Sequence, residues 1–190
     1  MLAPPWISRL RRQRACARCE RGGNVIKYIP ETGSTNADLL AALRAGERVG
    51  EGDWLVAERQ TAGRGRQGRE WFDGAGNFMG STVVRLAPSD PPPASFALAV
   101  GLAVYEAVLA LLADPAPLRL KWPNDVTYAG AKLAGILLER EGEALVVGSG
   151  VNLAQAPTIE GRETLALAEL IPVPDRDLFA GALAASFATE

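Results

Sequence analysis

Residues 60–71 read Gln-Thr-Ala-Gly-Arg-Gly-Arg-Gln-Gly-Arg-Glu-Trp, and the interpretation of this ribbon decides that of the whole chain. Gly63, Gly65 and Gly68 are interleaved with Arg64, Arg66 and Arg69, shortly after the apolar run Trp54-Leu-Val-Ala. Glycine lets a backbone turn through positive φ and approach a ligand closely. Arginine presents a rigid fork of donors suited to carboxylate and phosphate oxygens. The pattern predicts a donor-rich loop hung on a strand end, a clamp for an anion, although a solvated basic loop has the same composition. The spacing from Gly63 to Gly68 also spells G-x-G-x-x-G, but that fingerprint needs a helix to open at once. Here residues 70–77 are turn-rich, and the acid about twenty positions on, Asp90, stands beside three prolines. A dinucleotide fold is therefore rejected. A P-loop is rejected as well, because no Gly-Lys-Ser/Thr closes the run.

With 190 residues, 48% of them hydrophobic, the chain can bury one sizeable core. A net charge of −2 argues against general affinity for nucleic acid. Two cysteines, Cys16 and Cys19, imply no disulfide framework and suit a reducing compartment, so the cytoplasm is expected. With no histidine there is no His zinc ligand, no His general base and no Ser-His-Asp triad. No stretch is apolar for long enough to span a membrane. Catalysis, if present, must run on Lys, Arg, Asp, Glu and bound metal.

Residues 1–24 crowd six arginines together and are expected to form a poorly ordered extension, with Cys16-Ala-Arg-Cys19 incidental to it. A strand is expected at 25–29 and a helix at 36–46, capped by Ser34 or Thr35 and ended by Gly46. Further strands are expected at 53–59, 77–86, 132–139 and 144–151, with turns at Ala129-Gly130 and around Gly142. Residues 94–113 are expected to be the longest helix, buried on nearly every side, and residues 175–188 the last one. Such an order predicts an α+β, or mixed α/β, fold.

Three polar clusters need a common purpose: the glycine-arginine ribbon, Lys121-Trp-Pro-Asn124-Asp125, and Lys132 at the start of an apolar strand. Cations with an Asp and no histidine suit phosphoryl or nucleotidyl transfer, which is catalysed by positioning and cationic stabilisation of phosphate oxygens. Asp125, after Asn124, could hold Mg²⁺, and Trp71 could stack on a base. Read singly, Lys132 is a snorkelling edge residue, Asp125 a turn former and Trp71 a rim aromatic.

The ribbon with its leading Glu58-Arg59, Lys121–Asp125 and Lys132-Leu-Ala-Gly-Ile-Leu137 resemble, in order and spacing, the signature blocks of biotin protein ligases. Ser34-Thr35-Asn36 and Gly148-Ser-Gly-Val-Asn152 resemble two further blocks. The likeness runs from about residue 25 to residue 152. It implies a fold like that of class II aminoacyl-tRNA synthetases and lipoate ligases, with helices packed on a mixed sheet. It also implies a two-step reaction: biotin and MgATP give biotinyl-5′-adenylate and pyrophosphate, and the adenylate then acylates a lysine of a biotin carboxyl carrier domain.

By position, the resemblance implies that Ser34, Thr35, Gln60, Gly63, Arg64, Arg66, Lys132 and Gly135 surround biotin. Arg64, Arg66 and Lys132 would be the catalytic cations, neutralising the carboxylate and the α-phosphate. Arg69 would reach the triphosphate and Trp71 would cover adenine. Asn124 and Asn152 would bond the base, or Asn124 and Asp125 would hold Mg²⁺. The ribbon would lack order when empty and close over the adenylate. The first 24 residues are too short for the family's winged helix-turn-helix, so DNA binding is not implied. The catalytic domain is expected at 25–190, with the family's C-terminal SH3-like domain missing, and the family's habit of pairing sheets edge to edge allows a homodimer. Two alternatives stay open: a lipoate or octanoate ligase of the same fold, and a domain that binds biotin or its adenylate without transferring it. An arginine-glycine RNA module is disfavoured by the net acidity and by the lack of aromatic residues within 63–69.

Overall fold

The computed structural model describes residues 25–189. The expected extension at 1–24, with Cys16 and Cys19, lies outside the described residues. Seven strands form one mixed sheet in the order β1-β2-β3-β7-β6-β5-β4. They are β1 (Ile26–Thr32), β2 (Trp54–Gln60), β3 (Phe78–Arg85), β4 (Leu118–Lys121), β5 (Asp125–Tyr128), β6 (Ala131–Glu141) and β7 (Ala144–Val151). Only β1 and β2 run parallel, joined through helix α1 (Thr35–Arg44); every other neighbouring pair is antiparallel.

Local chemistry explains most of these boundaries. Ser34, in an extended conformation, caps α1 by accepting from the Ala37 N–H, and Thr32 ties down the first turn by donating to Asp38 at 2.6 Å. Gly46 ends the helix at φ +73°, a backbone conformation that suits glycine. The β5–β6 turn pairs Ala129 and Gly130, both at positive φ, and Gly142 does the same between β6 and β7. The cluster at 118–128, left without an element by the sequence, is the β4–β5 hairpin, whose connection includes a cis Trp122–Pro123 bond.

Two expectations are corrected by packing. Helix α2 (Phe96–Leu109) is shorter than residues 94–113, because residues 93–95 form a separate tight turn; at 14 residues it equals α3 (Arg176–Thr189). Strand β3 is buried from Phe78 to Val84 rather than alternating, because both faces of the sheet are covered there. On one face α2 and α3 enclose the main core around Phe78, Val104, Leu133 and Leu183. On the other, Leu39 and Leu40 of α1 meet Leu55, Val83, Ala144 and Val146.

Phe78 is the keystone of the larger core. It is wholly buried, with ring centroids 6.0 Å from Trp54 and 5.5 Å from Phe179, both in tilted or edge geometry. Phe78→Ala is therefore expected to lower folding stability by about 3–5 kcal/mol in urea unfolding. A loss below about 1 kcal/mol would show that the neighbouring rings collapse into the gap.

Candidate functional site

A cleft opens on the α1 face, between the N-terminus of α1 and the glycine-arginine loop. The cleft exists because strand positions beneath it carry no side chain. A Cβ on Gly148 would stand 2.3 Å from Asn36 Oδ1, one on Gly150 2.2 Å from the Trp71 ring, and one on Gly135 2.9 Å from Lys132 Nζ. Glycine in a strand weakens it, but here it lets other side chains lie directly on the sheet.

One end of the cleft is neutral and rich in hydrogen bonds. The Thr35 N–H donates to Gln60 Oε1 at 2.7 Å, and the Thr35 hydroxyl lies 3.0 Å from the same oxygen and 2.6 Å from Ser81 Oγ. Ser81 donates to Asn36 Oδ1 at 2.6 Å, and Asn36 Nδ2 donates to Glu139 at 2.8 Å. Thr35, Asn36, Gln60 and Ser81 are all buried. Such a chain fixes which way each amide faces, since a buried polar group without a partner is costly. Gln60 Nε2 has no such bond among the described residues, which leaves a donor available to an uncharged polar ligand.

The other end is cationic. Lys132 opens β6 with its ammonium 2.8 Å from Asp125 Oδ1, and 5.3 Å from the centre of the Trp71 ring. Burial pushes the Lys132 pKa down, and the hydrogen bond and charge of Asp125 oppose the shift. The glycine-arginine loop hangs above. Gly65 N donates to Arg69 O at 2.7 Å and Trp71 N to Gly63 O at 2.9 Å, while Gln67 and Gly68 at positive φ form the tip. These backbone bonds give the loop a defined turn. Among the described residues the Arg64 side chain makes no hydrogen bond or ion pair, and it lines the cleft. Arg66 donates to Asn124 Oδ1 at 3.1 Å, and Arg69 to Gln67 Oε1 at 3.1 Å.

Of the residues singled out from the sequence, Ser34, Thr35, Gln60, Arg64, Arg66, Trp71, Asn124, Lys132 and Gly135 line this one cleft. Gly63, Arg69, Asp125 and Asn152 line the wider groove that continues from it. Asn124 ties the loop to the sheet: its Nδ2 donates to Ile136 O at 2.8 Å and its Oδ1 accepts from Arg66. Asn152 donates to Leu165 O at 3.2 Å, while its Oδ1 is buried without a partner and stays open to a donor. The Trp71 ring lies on Gly150 and Gly135. Asp125, expected to hold Mg²⁺, is bonded to two cations, Lys132 and Arg162. No group of three potential metal-ligating His, Cys, Asp or Glu occurs among the described residues, so protein side chains alone do not form a Mg²⁺ cage here.

Ser81, Glu139 and Arg162 were not legible beforehand. Ser81 and Glu139 sit in ordinary strand sequence, and Arg162 lies in an irregular stretch with no motif around it.

Comparison with known proteins agrees with this geometry. Residues 31–154 match the model of the biotin/lipoate A/B protein ligase family. A biotin–[acetyl-CoA-carboxylase] ligase of Mycobacterium tuberculosis is 43% identical over 168 residues, 85% of this chain and 62% of that protein. The chain thus spans less than two thirds of that relative's length. The biotin protein ligase of Aquifex aeolicus, solved with biotin and ATP, superposes with a TM-score of 0.75 at 30% identity, covering 86% of this chain and 68% of the other. That of Leishmania major, solved with biotinyl-5-AMP, gives 0.75 at 29%, covering 86% and 73%. On these matches, and on a seven-stranded mixed sheet with helices on both faces, the chain belongs to the biotin/lipoate A/B protein ligase family.

Proposed function

We propose that residues 25–190 are the catalytic domain of a biotin protein ligase, which makes biotinyl-5′-AMP and passes biotin to a lysine of a biotin carboxyl carrier domain. The observation that carries this reading is the polarity of the cleft. A neutral hydrogen-bonding end suits an uncharged ureido ring, and a cationic end suits a carboxylate meeting a phosphate.

In the first step a biotin carboxylate oxygen attacks the α-phosphorus of ATP, forming a C–O–P linkage as the bond from that phosphorus to the α,β-bridging oxygen breaks and pyrophosphate leaves. Two anions must approach each other, so the step needs positive charge already in place. Lys132 stands where cleft and groove join, and Arg64 and Arg66 line both. Gln60 and Thr35 fix the ring end of biotin, which positions the carboxylate. In the second step the carrier lysine amine attacks the acyl carbon, an amide forms, and AMP leaves. The loop over the cleft keeps water from taking that amine's place. Mg²⁺ enters as part of the MgATP substrate, on the phosphates.

A cytoplasmic location fits a reaction that draws on ATP and a carrier protein; no helix among the described residues is long and apolar enough to cross a membrane. The sheet edges β1 and β4 leave unpaired backbone groups where two copies could join as a homodimer. No two helices among the described residues are joined by a short turn, and DNA binding forms no part of the reading.

The test is biotin-dependent ATP–pyrophosphate exchange by the 190-residue chain, followed by labelling of a carrier domain. Exchange with lipoate or octanoate but not biotin would move the protein to the family's other branch. Biotin binding without any AMP over hours would make it a binder alone.

A further inference from the structure

The segment after β7 folds back as a wall of the groove. Lys132 N donates to Glu163 O and Leu165 N to Lys132 O, each at 2.9 Å, so residues 163–165 lie beside the start of β6. A tight turn with Gly161 at φ +70° then points Arg162 back at the sheet, where its guanidinium meets Asp125 Oδ2. Lys132 holds the other oxygen of that carboxylate.

One carboxylate thus serves two cations. The Asp125 side chain is 10% exposed, Lys132 16% and Arg162 31%. A pair built for stability would need one cation, and a second in reach of the same oxygens leaves surplus positive charge partly withdrawn from water. Among the described residues no other acid pairs with either. Arg162 gives one donor nitrogen to Asp125, and among the described residues its other guanidinium N–H groups have no acceptor. Position says which anion fits. Lys132 lines both the closed cleft and the groove, whereas Arg162 lines only the groove, as Arg69 does.

Resting on the proposed ligase reading, we infer that Arg162 binds the β- and γ-phosphates of the nucleotide, and so the pyrophosphate that departs, while Asp125 orients it and Lys132 together. The groove is then two-sided: guanidinium groups from the loop face one from the opposite wall.

Titration calorimetry with sodium pyrophosphate and with MgATP, on the full chain, tests this without needing turnover. Arg162→Ala should weaken both about tenfold or more, as loss of a charge-assisted contact does, while leaving biotin affinity within about twofold. Arg162→Lys should recover part of the loss, since an ammonium keeps the charge but not the fork. Unchanged pyrophosphate affinity would overturn the inference. An equal loss of biotin and pyrophosphate would also overturn it, by showing that Arg162 merely holds Lys132 in place. A parent chain that binds no biotin and catalyses no exchange would sink the ligase reading instead, and the pyrophosphate measurement would still report on Arg162.

Discussion

Lys132→Ala is expected to cut biotin-dependent adenylation about 10²-fold or more, the usual loss when a donor aimed at developing charge is removed. The fold should survive, because Asp125 keeps Arg162 as its partner and no charge is left buried alone. Melting within a few degrees of the parent, combined with lost exchange, is thus the signature of a chemical role. Near-normal turnover would remove Lys132 from the active site. The pH profile carries the same argument. Adenylation needs the ammonium form, and burial lowers the pKa of Lys132. Activity should therefore fall on an alkaline limb that begins below the usual lysine range, and Lys132→Arg should push that limb upward. The linkage has the opposite sign for stability. Because the unfolded chain holds this proton more tightly, Lys132 weighs against folding below its lowered pKa. That penalty is relieved as pH rises through the lowered value. Activity and stability should diverge over one alkaline window, and parallel decline would point to simple unfolding.

Gly148→Ala is the second large effect, and it acts without touching ligand. The new Cβ would press on Asn36 Oδ1 at 2.3 Å, in a side chain buried beneath α1. Either the helix lifts or Asn36 leaves Ser81 and Glu139, and each route strains packing or strands buried polar groups. Overpacking and an unsatisfied group together suggest a loss of about 3 kcal/mol in stability. Biotin affinity should fall about tenfold, because Thr35 and Gln60 lose the support of Ser81. A double-mutant cycle isolates the cause. Once Asn36→Ala has removed the obstacle, adding Gly148→Ala should change little further. If the two losses simply add, the contact between these residues is not what the glycine protects.

Much of the architecture is legible in the sequence. The β7 boundaries at residues 144 and 151, the turns at Gly130 and Gly142 and the stop at Gly46 follow from local rules: hydrophobic runs end where glycine supplies a positive φ. The buried run of β3 was harder, since a strand covered on both faces loses the alternation that marks one exposed to water. The hairpin at 118–128 escaped because its strands are four residues each, too short for a period to show.

By itself, the chain's order of residues determined which groups would carry chemistry: a ribbon of arginines and glycines, a lysine opening a buried strand, and a polar pair capping a helix. These are local patterns, and their residue types limit the chemistry they can do. Only the tertiary structure decided the partners. Asn124 became a brace for Arg66, Asp125 a bridge between two cations, and Ser81 and Glu139 the hidden supports of Gln60. The physical reason is sequence distance. Asn36 and Glu139 are 103 residues apart and Asp125 and Arg162 are 37, so those contacts arise from strand order and register, which no neighbouring residue encodes.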